Sequence, residues 1–307
     1  MFSRTTADQL AGVANAQAIK GRSLWHDAFR RFVRNRAALI SLVLLGFVLV
    51  FAFFGQYLSP HEPDFVDFSL RRDIKNLGAP SIENAHFFGL EQEGRDLYTR
   101  VVQGTRISIL VGVIGSLVAV VVGTLYGAFA GYMGGRIDSV MMRIVDILIA
   151  IPFMFVIILL LVVFGRSMVM LFVGVGLISW LDMARIARGQ TLTIKNKEFV
   201  EAAVATGVKP FTVILRHIVP NLAGIVIVYA TLLIPQLIIT ESFISFLGLG
   251  IQEPMTSLGA LISAGASQLG FGTPWMIGFP LFFFLITLYA FFFVGDGLRD
   301  ALDPKDR

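Results

Sequence analysis

The sequence predicts an all-α membrane protein that crosses the bilayer six times. Three observations carry this. Hydrophobic residues fill 56% of the 307 positions, and mean hydropathy is +0.77. Only 15% of residues are charged, where a soluble domain carries about 25%. The apolar residues also gather into six runs, each near the roughly 20 residues a helix needs to cross hydrocarbon.

The first span covers 37–58 and follows an arm, 1–36. No small-residue cleavage site follows it, so it reads as a retained span rather than a signal peptide. Residues 59–106 carry the turn signals Ser59-Pro60, Glu62-Pro63 and Ala79-Pro80. An amphipathic helix is expected from Gly94, and the segment is either a small ordered cap or a loop. The second span, 107–133, repeats glycine at every fourth position, Gly123, Gly127 and Gly131. That pattern lets a second helix approach closely. The third span is 144–165 and the fourth 168–184. The fourth is short and acidic near its end at Asp182, so its helix should continue into water. The fifth and sixth are 221–249 and 275–295. Pro152, Pro235 and Pro280 sit inside spans three, five and six, and each removes a backbone hydrogen bond. Each is a candidate kink, either a hinge or a static bend. The last span is rich in phenylalanine, most simply as packing and lipid-facing surface.

Lysine and arginine set the orientation. With the N-terminus inside, the inner side holds seven in the arm, two between spans two and three, six between spans four and five, and three after span six, eighteen in all. The outer side holds seven, and eight acids in 59–106 offset them. Both termini are therefore expected in the cytoplasm, with 59–106 outside. The remaining divisions are a five-helix core over 107–297 and a tail over 298–307.

One water-facing stretch, 196–220, is polar and well punctuated. Asn196 is expected to cap a helix starting near Lys197, with Glu198 in its first turn. That helix should stop at Gly207, which can take the left-handed conformation. Pro210 suits the first turn of a second helix, expected to end at Pro220. Phe199, Ala202, Ala203 and Thr206 fall on one helical face. The first helix is a knob of a size to seat in a groove on a partner; it could also lie flat on the membrane surface.

Chemistry on the chain itself finds little support. With no cysteine there is no disulfide or thiolate site. His26, His61, His86 and His217 have no metal-ligand spacing. No G-x-x-x-x-G-K-[ST] phosphate loop occurs, nor any Gly-Lys pair. That fits a permease subunit, a channel or a secondary carrier equally. The string Val294-Gly295-Asp296-Gly297 resembles half of an intramembrane aspartyl-protease motif, but Phe293 stands where that motif has glycine. Acids inside spans flag function in a membrane protein, and Asp146, Asp182 and Glu241 are the candidates for a pathway or gate. Asp146 lies three residues after Arg143, and Asp182 three before Arg185, so local ion pairs explain both as well. Glu241, near the outer end of span five, could pair with a partner subunit or line an outer gate.

The spacing Glu201-Ala202-Ala203, three residues, Gly207, then Pro220 thirteen positions on, resembles the EAA loop of ABC importer permeases. His217 and Val219 depart from the usual pattern. Longer strings, RHIVPN, GRSLWHDAFRRFVRNRAA (21–38), HFFGLEQEGRDLYTRVVQGTRISILVG (86–112), GYMGGRIDSVMMRIVDIL, SWLDMARIARGQTL, ESFISFLGLGIQEP and GDGLRDALDPKDR, resemble the C-subunit type of the oligopeptide permeases. Leu90, Glu91 and Gln92 differ from that family's usual residues. The resemblance implies the type I ABC importer transmembrane fold with a cytoplasmic coupling helix. It implies that Phe199, Glu201, Ala202, Ala203, Thr206, Gly207 and Pro220 couple to an ATPase. The implied partners are a second, different permease, two cytoplasmic ATP-binding subunits and an extracytoplasmic peptide-binding protein, with no cofactor and no nucleic acid. Dipeptide and nickel permeases are the neighbouring alternatives; a stand-alone channel or carrier is the more distant one.

Overall fold

The computed structural model describes residues 24–302, so the outer parts of the predicted arm and tail, 1–23 and 303–307, lie outside the described residues. Among those described the protein is helical, and its only β-type pairing is three isolated bridges. Helix α1, Leu24–Arg34, leads into α2, Arg36–Phe54. Asn35 caps α2, its side-chain oxygen accepting from the amides of Ala37 and Ala38 at 3.1 and 3.2 Å. A 3-10 turn, Gly55–Leu58, completes the first span. After the short α3, Ile74–Leu77, comes α4, Leu97–Met133. Its 37 residues make a rod about 55 Å long. The amphipathic helix expected from Gly94 is the start of this rod and not a separate element. Asp96 caps it, accepting from the Thr99 amide at 2.9 Å.

The third span is broken. Helix α5, Gly135–Ala150, and α6, Phe153–Phe164, meet at 76°. Ile151 is extended (φ −80°, ψ 125°) before Pro152, as sterics at a pre-proline residue demand. Helix α7, Met168–Ile194, carries the fourth span ten residues past Ala184, as its polar end predicted. Helix α8, Glu198–Ala205, and α9, Pro210–Val213, form the polar stretch; α10 is Val219–Phe246. After α11, Leu258–Ser267, the last helix α12 runs from Trp275 to Leu302. Pro235 and Pro280 lie inside α10 and α12, and neither breaks its helix. Both are buried while Pro152 is exposed. The two prolines that continue their helices are the buried ones, and the exposed proline stands at the break.

The glycine ladder is the seam between α4 and α7. A Cβ on Gly123 would lie 2.5 Å from the Trp180 carbonyl oxygen, and one on Gly131 2.9 Å from that of Arg188. On Gly127 it would sit against the Ala184 carbonyl and 2.8 Å from the Arg188 amide nitrogen. Only glycine lets these backbones touch, and packing of this kind replaces the missing hydrophobic drive between helices in lipid. Beside the seam, Ile107, Val111, Ala119, Leu171, Val175, Leu233 and Leu237 form the largest buried cluster.

Residues 59–96 form an ordered cap. Bridges pair Val66 with Arg95, Ser81 with His86 and Leu90 with Asp96. Trp275 Nε1 donates to the Leu90 carbonyl at 3.2 Å, fixing the cap to α12. The buried His86 ring stacks on His61 at 4.4 Å and donates through Nδ1 to Asp96 at 2.8 Å. The end of the molecule opposite this cap carries α8 and α9.

Candidate functional site

The polar stretch is built by its punctuation. Lys197 stands at the head of α8 without a side-chain cap bond. Asn196 does not cap this helix as expected; its Nδ2 donates back to the Leu192 carbonyl at 3.3 Å, closing the end of α7. Gly207 takes φ +80°, which stops α8. The Gly207 and Val208 amides then donate to Val204 and Ala203 at 3.0 and 3.1 Å. Pro210 opens α9 as predicted. The expected end at Pro220 does not occur. The chain winds through one π-helical turn, Ile214–Ile218, straight into α10, with Pro220 just past that turn. A single rod of 37 residues thus runs from Pro210 to Phe246.

The face assigned to α8 needs one correction. Ala203 points inward, buried with Val200 against Val213, Ile214 and Ile218. Phe199, Glu201, Ala202, Thr206 and Gly207 are exposed. Phe199 is 41% exposed, and Phe211 on α9 is 65% exposed. The result is a small knob whose buried side is apolar and whose outer side offers two aromatic rings and two acids, Glu198 and Glu201. Val200 and Ala203 seat it on the long rod, against Val213, Ile214 and Ile218.

The acids divide differently from the sequence-based expectation. Asp146 pairs not with Arg143 but with Arg185, across two helices, at 2.7 Å. That pair is about half exposed. Arg188, one turn on, grips Asp138 with Nε at 3.0 Å and Nη2 at 2.6 Å. Lys195 Nζ donates to the Gly131 carbonyl at 2.9 Å. These last two fasten the α4–α5 corner to α7, and sequence reasoning missed both; Arg188, four residues after the Gly127 contact at Ala184, was the available signal.

Asp182 is left without an ion pair among the described residues. It faces an open cleft of about 90 Å³ between α6, α7 and α10. Ser179 and Asp182 come from α7; Tyr229, Gln236 and Thr240 come from α10. Spacings of seven and four along α10 keep these three on one face. Phe153, Ile157, Val175 and Leu233 complete the walls. Asp182 is exposed near the inner end of the fourth span, where a carboxylate is costly against lipid, so this face is built for a polar surrounding.

Glu241 lies elsewhere. It is fully buried within its own subunit, and accepts from Ser108 at 2.9 Å, Ser245 at 2.7 Å and Ser242 at 3.3 Å. It reaches neither a surface nor the cleft, so an intersubunit pair or a gate lining does not describe it. Its serines tie α4 to α10.

At the cap end Arg95 is paired with Glu91, Glu93 and Glu253. Arg100, 1% exposed, donates to Glu253 at 2.9 Å and to the Pro254 carbonyl at 2.6 Å. Burial pushes the Glu91 carboxyl above its ordinary range despite Arg100 and Arg95. Glu253 is also raised by burial, but its bonds to Arg95 and the charge of Arg100 outweigh that and hold it below. The cluster locks the cap to the segment before α11.

Residues 123–307 match the family described as the inner membrane component of binding-protein-dependent transport systems. Residues 23–80 match the N-terminal transmembrane domain of oligopeptide transport permease C. The chain is 51% identical over 307 residues to the oligopeptide transport system permease protein OppC of Escherichia coli K12, covering all of both chains. It is 50% identical over 300 residues to OppC of Haemophilus influenzae, 98% of this chain and 94% of that one. Against the dipeptide transport system permease protein DppC of Bacillus subtilis identity is 43% over 294 residues, 95% of this chain and 90% of that one. With a rod-borne knob at one end, a fixed cap at the other and a polar cleft between, the chain belongs to the family of binding-protein-dependent transport system inner membrane components.

Proposed function

We propose that the chain is a permease subunit of an ATP-driven importer of oligopeptides, and that it forms the pathway with a second, different permease. The observation that carries the coupling part is the exposed knob of α8, with Phe199, Glu201, Ala202, Thr206 and Gly207 outward and Val200 and Ala203 seated on the α9–α10 rod. One of two ATP-binding subunits docks there and the other on the second permease's loop, and hydrolysis belongs to them. Residues 1–36, the knob and 298–307 face the cytoplasm; the cap faces outward, where a peptide-binding protein delivers its load. The five helices over 107–297 carry the pathway. The oligopeptide relatives at 50–51% identity favour this substrate class over the dipeptide relative at 43%.

Mild-detergent purification of the tagged chain from its own membranes, followed by mass spectrometry, tests the assembly. One different permease and ATP-binding subunits are expected to co-purify. Recovery of the chain alone, under conditions that preserve other membrane complexes, would refute it. The coupling is tested by Gly207→Asp, which forces a side chain onto φ +80° and puts a charge on the knob. Insertion should be unchanged and uptake abolished; normal uptake at equal abundance would sink the coupling reading.

A further inference from the structure

The cleft between α6, α7 and α10 holds one carboxylate and no cation. Its other polar groups, Ser179, Tyr229, Gln236 and Thr240, are all neutral. Arg185, the basic residue three positions from Asp182, is engaged by Asp146 at 2.7 Å. Arg188 is held by Asp138 on two bonds. The hydroxyls of Ser179 and Thr240 donate to carbonyls within their own helices at 2.7 and 2.9 Å, which leaves their lone pairs toward the cleft. Among the described residues no partner bonds the Asp182 carboxylate or the Gln236 amide. Asp182 lies 14 residues from the start of α7, about 21 Å along its axis, near the inner end of the fourth span. A lone negative charge in this cleft, with neutral groups that can accept beside it, is complementary to a cation carrying several N–H donors.

We infer that this cleft is a subsite for a primary ammonium group of the passing substrate, with Asp182 as the charge partner and Tyr229, Gln236 and Thr240 as neutral acceptors beside it. This rests on the peptide-importer reading above. A peptide offers such a group at its amino terminus and on a lysine side chain. The guiding contact is transient: it favours capture of the released peptide over its return outward, so it acts on peptide moved per ATP hydrolysed.

The test uses the whole complex in proteoliposomes, with binding protein saturated by each peptide in turn. Three peptides serve: trialanine, N-acetyl-Ala-Lys-Ala and N-acetyl-trialanine. In Asp182→Asn, uptake per ATP should fall about tenfold for peptides with an ammonium, the value of one charged hydrogen bond. N-acetyl-trialanine should move as in the parent. A loss confined to trialanine assigns the amino terminus, and one confined to N-acetyl-Ala-Lys-Ala assigns the side chain. Asp182→Glu, which keeps the charge, should restore most of the preference and serves alone if Asp182→Asn fails to assemble. An equal loss for all three peptides, no loss for any, or no preference in Asp182→Glu would overturn the inference. Failure of the parent complex to move any of the three would instead overturn the importer reading itself.

Discussion

Replacing Gly127 by alanine should be among the most damaging single-methyl changes in this molecule. The added Cβ would press on the Ala184 carbonyl and stand 2.8 Å from the Arg188 amide nitrogen. Both obstacles are backbone, and both belong to a helix whose neighbouring residues Met183, Ala184 and Ala187 are fully buried. To reach the 3.4 Å of ordinary contact, α7 must retreat by at least about 0.6 Å at Arg188 and by more at Ala184. That movement loosens the seam at Gly123 and Gly131 as well. Overpacking of this kind costs roughly 1–3 kcal/mol, and a purely backbone clash belongs at the upper end. Gly189→Ala on α7 is the control, since a Cβ there meets nothing within 4 Å. Titration of the folded chain from mild detergent into SDS, followed by tryptophan fluorescence, reads the difference. Gly127→Ala should unfold well before the parent and Gly189→Ala with it. Equal stability of the two variants would refute the seam as described.

Two further outcomes follow from the ion pairs. Arg188→Gln should cost about 1–3 kcal/mol in the same titration because it strands the mostly buried Asp138, whereas Arg185→Gln should cost less than about 1 kcal/mol because its pair with Asp146 is half exposed; the reverse order would contradict this assignment. Glu253 is held below its ordinary 4.5, so its contribution to fixing the cap is present above pH 4.5 and is lost as pH falls through the lowered value. Glu91, raised by burial, works the other way. Protection of the amides at 90–95, taken relative to intrinsic exchange at each pH, should therefore fall below pH 4.5 in the parent, and this added acid sensitivity should be absent from Glu253→Gln, read by mass spectrometry.

What the sequence shows on its face and what it hides follow a physical division. The spans were legible because hydrophobic length is a property of the segment alone. So was the stop at Gly207, where only local backbone geometry matters. The ladder of Gly123, Gly127 and Gly131 predicted a close neighbour but not that the neighbour is α7. Prolines were ambiguous for the same reason. Pro152, Pro235 and Pro280 are identical to a local reader, and burial by other helices is what separates the two that continue from the one at the break. The passage of Pro220 into a continuous rod needs a π-helical turn, which packing of Ile214 and Ile218 stabilises. Salt bridges were least legible of all. Arg143 and Arg185 both stood at helical spacing from an acid, yet the bond formed joins Asp146 to Arg185 from different helices. Once Arg185 is taken, Asp182 becomes free to face the cleft, which no local rule could reveal.

The rod from Pro210 to Phe246 mounts Phe211 near one tip and Tyr229, Gln236 and Thr240 further along the same axis. Over about 55 Å, a tilt of about 5° displaces the far tip by about 5 Å. Pro235 does not break it, and the one change of winding along it is the π-helical turn at Ile214–Ile218, which lies on the knob's side of every cleft residue. The width of the cleft and the seating of the knob are then a single mechanical coordinate: no partner can shift one by more than that turn absorbs without resetting the other.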